Sequence, residues 1–164
     1  MPYLLDSNIF IQAKNEYYGF DVCPGFWAWL KQQNQAGQVF SIDRVQAELI
    51  RYSDELSQWA RDLGRDFFLP LDPLAIQAMT DVSSWVQAAP HREDAKRVFL
   101  SGADPFLIAY AKAHGHTVVS HEVYVEGERK RVKIPAVCNS LDVPYIRTFQ
   151  MLREAEARFV LSSE

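Results

Sequence analysis

Short segments rich in apolar and β-branched residues alternate along this chain with longer segments of helical periodicity, and this alternation constrains the fold most. The short segments are 3–5, 39–40, 67–69, 117–120 and 145–146. Their length and composition are typical of buried parallel strands. Strands that alternate with helices predict a three-layer α/β/α sandwich with a mainly parallel central sheet. The sequence shows no internal repeat or linker, so we expect one domain over residues 1–164.

Charge and hydropathy exclude some classes of protein. Charged residues interrupt the apolar runs well before the ~18 residues that a membrane helix needs, and the N-terminus does not resemble a secretory signal. We therefore expect a cytoplasmic protein with no membrane partner. The formal net charge of -4 argues against an extended nucleic-acid-coating surface. It is compatible with a local site at which clustered carboxylates hold cations.

Three acidic residues lie at positions that parallel strands would bring together. Asp6 ends the first predicted strand, and Glu122 follows segment 117–120. Asp104 is predicted to be the N-cap of a helix that has Pro105 at its first position and leads into segment 117–120. Because functional groups gather beyond the carboxyl ends of parallel strands, we expect these acids to converge.

A fourth acid, Glu48, is predicted to lie on a helix that Ser41 caps and that runs to about Tyr52. Val45, Leu49 and Tyr52 would form its buried face, which Glu48 would flank. Carboxylates brought together repel one another unless cations compensate, and Mg²⁺ and Mn²⁺ prefer such hard oxygen ligands. The predicted catalytic and metal-binding set is Asp6, Glu48, Asp104 and Glu122.

Each acid also has a purely structural explanation. Asp104 could serve only as an N-cap, and Asp6 could be a turn residue after a strand. Glu48 could be an ordinary surface glutamate, and Glu122 a solvated strand end. Their sequence order and joint placement favour the functional interpretation.

The chain resembles PIN-domain nucleases, the fold shared by VapC-type toxins. The opening YLLDSNIF resembles the first-strand acid motif of that family, with the hydroxyl residue Ser7 directly after Asp6. The segment SIDRVQAELI resembles the helix that supplies the family's glutamate, here Glu48. The resemblance extends from the first predicted strand to the last.

The most specific match is GADPFLIAYAKAHGHTVVSHE, which resembles the family segment in which an aspartate opens a helix and a strand leads to a hydroxyl residue and another acid. The corresponding residues are Asp104, Ser120 and Glu122. Most PIN domains have aspartate or asparagine where this chain has Glu122. His121 beside it could contact substrate, although a single histidine is more often incidental. The segments PGFWAWL and KIPAVCNSLDVPYIRTFQMLR look like those of an uncharacterised bacterial PIN-like group.

The resemblance implies an endoribonuclease that cleaves single-stranded RNA with Mg²⁺ or Mn²⁺. The ions would activate a water for in-line attack and neutralise charge on the leaving oxygen. Asp6 and Asp104 would be the main ligands, and Glu48 and Glu122 would hold a second ion or orient water. Ser7 and Ser120 would support them by hydrogen bonds. The implied partners are RNA, an antitoxin protein if the chain is a toxin, and a second copy in a homodimer.

Basic and aromatic residues are candidates for holding RNA. Segments 123–125 and 131–134 flank Glu126-Gly127 and predict a β-hairpin. Tyr17 and Tyr18 could stack on unpaired bases. The candidate phosphate-binding residues are Arg44, Arg51, Arg129, Lys130, Arg131 and Lys133. A solvated basic surface is an equally good explanation of the predicted hairpin's charges.

Three other functions compete with a nuclease. A haloacid-dehalogenase phosphatase would need a second aspartate at the position of Asn8, and a receiver domain would need paired acids after its first strand. Both requirements fail here. A catalytically inactive PIN-like module that binds RNA or protein remains open.

Overall fold

The computed structural model describes residues 1–162, so the last two residues of the predicted domain lie outside the described part. Its sheet has five parallel strands in the order β3-β2-β1-β4-β5. The strands are β1 (Tyr3–Leu5), β2 (Val39–Ile42), β3 (Phe68–Leu69), β4 (Thr117–Val119) and β5 (Tyr145–Ile146). The prediction of an α/β fold with a mainly parallel sheet is confirmed.

Helices connect the strands throughout the described chain. They are α1 (Ser7–Gln12), α2 (Pro24–Gln35), α3 (Asp43–Leu49), α4 (Glu55–Asp62), α5 (Pro73–Ala88), α6 (Glu93–Ser101), α7 (Asp104–His114), α8 (Ile134–Ser140) and α9 (Thr148–Glu154). A π-helical turn, Ala13–Tyr17, continues α1. Within residues 1–162, no helix is both long enough and apolar enough to cross a bilayer.

Local sequence signals set several helix boundaries. The Asp54 side chain accepts a hydrogen bond from the Ser57 backbone while the Ser57 side chain accepts one in return, which forms a capping box at the start of α4. Asp72 caps α5 by accepting a hydrogen bond from the backbone of Ala75. Gly115 ends α7 with φ of 71°, a left-handed conformation that costs glycine little.

The chain winds outward from β1 in both directions, and this arrangement determines where a site can form. Residues between β1 and β3 build one half of the sheet, after which the chain returns to place β4 on the other side of β1. Parallel crossovers are right-handed, so the two halves direct their helices to opposite faces. The strand order reverses between β1 and β4, and ligands of open α/β sheets bind beyond the strand ends at such a reversal.

The predicted cap of the helix after β2 is wrong. Ser41 lies inside β2, where its Oγ donates a hydrogen bond to the Leu5 carbonyl oxygen at 2.7 Å. The helix that follows, α3, begins at Asp43 and ends at Leu49. Tyr52, predicted to be buried, is 62% exposed. The Ser41 hydroxyl therefore links two strands and is not available to cap a helix.

The predicted hairpin is also wrong. Residues 121–133 form no strand, although a turn does occur with Gly127 at φ of 75°. The segment's polar groups are paired with other parts of the protein instead of across a ladder. The Arg92 backbone N–H donates to the Arg129 carbonyl oxygen at 2.9 Å, and the Ile134 N–H donates to Glu122 Oε2 at 2.9 Å. We call residues 122–133 the covering loop.

Two helices were not predicted. Ser7 opens α1, where the sequence suggested a turn, and α6 lies in a segment that had no assignment. Helix α6 does carry recognisable signals, because Glu93 and Asp94 occupy its first turn and Ala95 and Phe99 are buried one turn apart.

Candidate active site

Asp6 occupies the centre of the sheet edge, directly after β1. Its backbone N–H donates to the Val119 carbonyl oxygen at 3.0 Å, which extends the pairing of β1 with β4. The residue is 0% exposed. Ser120 Oγ lies 3.2 Å from Asp6 Oδ2, and Ser7 Oγ lies 3.3 Å from Oδ1. The structure thus places both predicted supporting hydroxyls against this carboxylate.

Asp104 does not cap α7, contrary to the prediction. It is the first helical residue, and Ala103 is the N-cap. The Asp104 side chain instead lies within hydrogen-bonding reach of the Asp6 carboxyl. The start of α7 therefore places the Asp104 carboxyl next to that of Asp6. The order of strands and helices along the sequence predicted this convergence.

Glu48 and Glu122 are each anchored by a backbone N–H group. The Ala103 N–H donates to Glu48 Oε1 at 3.0 Å, which ties α3 to the residue before Asp104. Glu122 Oε2 accepts from Ile134 and so joins the two ends of the covering loop. Both longer acids therefore position the segments around the site.

The four acids form one electrostatic group. Burial raises the pKa of Asp6 to about 6, with further repulsion from Glu122 and Glu48 opposed by hydrogen bonds from Ser120 and the Asn8 backbone. Burial also raises the pKa of Asp104 to about 8, and the charges of Asp6, Glu122 and Glu48 add to the effect. These shifts mean that the buried pair retains a proton near neutral pH unless a positive charge compensates.

The chemistry of this group fits a hard divalent cation, although its geometry is not that of a closed coordination shell. No three His, Cys, Asp or Glu side chains in residues 1–162 are grouped closely enough to form a metal site. The donors are all carboxylate oxygens, the ligand type that Mg²⁺ and Mn²⁺ prefer. Their mutual repulsion is what a bound cation would relieve.

A cleft of about 460 Å³ opens above the acids, a size in the usual range for ligand sites. Glu48, Asp104 and Glu122 line it, whereas Asp6 lies beneath its surface. The positive side chains in its wall are Arg51, Lys130 and Arg131. The covering loop thus contributes two cations to the cleft that the acids line.

The other predicted basic residues lie elsewhere. The Arg44 guanidinium lies 3.8 Å from the centre of the Phe106 ring. Lys133 Nζ forms an ion pair with Glu128 Oε2 at 3.1 Å. Arg129 lines a separate cavity with Trp85 and Tyr124. These three cations are therefore not brought to the acidic cleft.

One wall of the cleft consists of residues that were not predicted to belong to a site. Asp94, Val98 and Phe99 of α6 line it, together with Asn8 of α1. The first-turn acids of α6 were the available signal, but nothing in the local sequence indicates that this helix lines the cleft.

The five parallel strands and their acidic edge place this chain among α/β proteins of PIN-like fold. One similar solved structure is described as VapBC2 from Rickettsia felis bound to a DNA fragment from their promoter. The TM-score is 0.52 at 13% identity, and the match covers 90% of this chain and 98% of the other. This likeness shows the fold.

The particular family follows from the sequence. Residues 3–159 match the family described as Domain of unknown function (DUF4411), and the chain belongs to it. No curated protein matches the sequence.

The raised acid pKa values predict that the metal-free protein loses stability as pH rises. A carboxyl that binds its proton more tightly when folded contributes stability that is fully present below its unfolded pKa of about 4 and is lost as pH rises through its folded pKa. We expect the midpoint of thermal or urea unfolding, measured in EDTA, to decrease as the pH rises from about 5 to about 8.5. Asp104→Asn should reduce that fall, because one of the two titrating groups is gone.

Asp142→Asn is the matched control, since Asp142 is exposed and its φ of 56° suits asparagine. Urea or thermal unfolding across this pH range measures the effect. A pH dependence in Asp104→Asn as steep as that of the parent would contradict the assignment.

Proposed function

We propose that this protein is a divalent-metal-dependent endoribonuclease that hydrolyses phosphodiester bonds of single-stranded RNA, acting as a single domain. The observation that carries the proposal is the convergence of four carboxylates from separate parts of the chain, of which Asp6 is fully buried. Burying repelling acids costs free energy unless protons or cations compensate. A function that uses a cation accounts for this arrangement.

Asp6 and Asp104 would be the main ligands, and Glu48 and Glu122 would hold a second ion or orient water. When bound, Mg²⁺ or Mn²⁺ supplies the Lewis acidity that activates water and neutralises charge on phosphate. Ser7 and Ser120 fix the orientation of the Asp6 carboxylate through the hydrogen bonds described above. Glu48 fixes the start of α7 through Ala103. The protein thus provides orientation, and no side chain needs to act as a nucleophile.

The charges of the cleft support a phosphate-containing substrate. Glu48, Asp104 and Glu122 line it together with Arg51, Lys130 and Arg131. Cations at the rim can contact phosphates on either side of the bond that is cut. The resemblance of the motifs to PIN-domain nucleases favours single-stranded RNA over other phosphodiesters.

A catalytically inactive PIN-like module is the alternative, and one observation favours it. Within the described residues the acids do not form a ready metal cluster. Titration calorimetry with Mn²⁺ distinguishes the two proposals. Binding that Asp6→Asn abolishes supports the nuclease, whereas no binding to the parent protein supports the module.

Asp6→Asn should lower Mn²⁺-dependent cleavage of a labelled single-stranded RNA by more than about 100-fold, since even changes behind a metal ligand cost 10- to 100-fold. The fold should persist because asparagine has nearly the same shape, which circular dichroism checks. EDTA should abolish cleavage by the parent. Asp142→Asn, at the opposite edge of the sheet, should cleave at the parental rate. Equal cleavage by Asp6→Asn and the parent would refute the site.

Replacing both loop cations of the cleft, Lys130→Gln with Arg131→Gln, should raise KM several-fold and leave kcat nearly unchanged. The reason is that these side chains are proposed to hold flanking phosphates and not the reacting group. The double variant should also show a weaker dependence of RNA affinity on salt. Arg129→Gln is the matched control, because this neighbour lies outside the cleft. An unchanged KM in the double variant would exclude the proposed contacts.

We further propose that the ribonuclease is the toxin of a toxin–antitoxin pair, with an antitoxin protein as partner and a homodimer as its assembly. The support is the likeness of its fold to a chain of the VapBC2 complex. Expression of the parent in a bacterial host should slow growth, and Asp6→Asn at the same level should not, because the effect requires RNA cleavage. Normal growth at verified high expression of the parent would count against a toxin.

A further inference from the structure

A second, smaller cavity opens on the opposite flank of α1 from the acidic cleft. Ser7, Asn8 and Ile11 face the cleft, whereas Ile9 and Gln12 face this cavity. Its volume is about 40 Å³, roughly the room that one or two water molecules need. We call it the flanking cavity.

The flanking cavity lies at the same edge of the sheet as the acids. His121 lines it and is followed by Glu122, which lines the cleft. Arg147, which also lines it, comes directly after β5. One helix width, about 10 Å, therefore separates the two openings, a span that a short stretch of single-stranded RNA can cross.

Two residues that line the flanking cavity each have a buried polar atom without a hydrogen bond. His121 Nδ1 and Thr148 Oγ1 are both buried and have no hydrogen-bond partner among the described residues, and both residues line the flanking cavity. Buried polar atoms are nearly always hydrogen-bonded, so two such atoms in one cavity require an explanation. The exposed Arg147 adds a guanidinium that donates hydrogen bonds.

Exposed aromatic rings border the same cavity. Tyr17 is 52% exposed and Phe149 is 42% exposed, and their ring centres lie 5.3 Å apart in an edge-to-face arrangement. Tyr17 ends the π-helical turn, a type of irregularity found often at functional sites. Tyr18, the other predicted stacking residue, is packed on Phe26 with ring centres 4.6 Å apart. Tyr17 and Phe149 therefore provide the accessible stacking faces.

We propose that the flanking cavity binds one unpaired nucleobase of the RNA that the acidic cleft cleaves, which rests on the proposed function. The base would stack on Phe149 or Tyr17, because the cavity is too small for a whole base. Only the base's polar edge would enter, where Arg147, His121 and Thr148 supply hydrogen-bonding groups. Proteins commonly recognise single-stranded RNA by this combination of stacking and edge contacts.

Fluorescence anisotropy in EDTA, which prevents cleavage, tests the proposal with labelled oligoribonucleotides of about 12 residues. The probes are homopolymers of uridine, adenosine and cytidine, and an oligomer of the same backbone without bases. Phe149→Leu should weaken binding of the preferred homopolymer at least about fivefold, the lower end of one lost stacking contact. Its affinity for the abasic oligomer should not change. Phe149→Tyr should restore parental affinity because it keeps the stacking face.

Thr148→Val tests the contact to the base edge separately. It keeps the side-chain shape and removes the hydroxyl, so it should alter the ratio of affinities among homopolymers while leaving abasic binding unchanged. Tyr124→Leu is the matched control, because Tyr124 is 47% exposed but lines a different cavity. It should bind every probe as the parent does.

The outcomes separate this proposal from the ribonuclease itself. If the parent binds and cleaves RNA and Phe149→Leu binds all probes equally well, the nucleobase site is overturned and the nuclease stands. The nucleobase site is also overturned if Phe149→Leu loses affinity equally for abasic and base-containing probes. It is overturned as well if the parent binds both kinds of probe with the same affinity, a result that would favour a protein partner for this face. If the parent neither binds nor cleaves RNA, the proposed function fails and this site with it.

Discussion

The rest of the active-site architecture depends on the burial of one carboxylate, that of Asp6, at the end of the central strand. Burial makes the charged form of this acid unfavourable, and the nearby charges of Glu122 and Glu48 add to the effect, which is why its pKa rises. The surrounding structure must therefore hold these groups together against their repulsion. Hydrogen bonds from Ser120 and Ser7 stabilise the Asp6 carboxylate, and backbone N–H groups hold the two glutamates.

Those two backbone contacts give Glu48 and Glu122 a structural role besides any role in binding ions. Glu48 connects α3 to the start of α7, and Glu122 closes the covering loop at Ile134. A change at either glutamate would alter both charge and position. The Glu122 side chain reaches the far end of that loop, where its Oε2 accepts from the Ile134 N–H.

Much of the fold could be predicted because its signals are local. The five predicted apolar segments overlap the observed strands, and the end of α7 at Gly115 depends on residues next to it in the sequence. The predictions that failed concern polar groups that form hydrogen bonds with residues far away along the chain. Ser41 bonds to β1 instead of capping α3, and the covering loop accepts hydrogen bonds from Arg92 and Ile134 instead of forming a hairpin.

The sequence by itself determined the parallel sheet and the edge at which the acids gather, because the alternation of strands with helices and the positions of Asp6 and Glu122 after their strands can be read along the chain. Tertiary structure alone decided which cations face the acids and which are engaged elsewhere. Arg131 and Lys133 are two residues apart, yet one lines the cleft and the other pairs with Glu128. The reason is that an irregular loop has no fixed period, so its side-chain directions follow from long-range contacts and not from spacing.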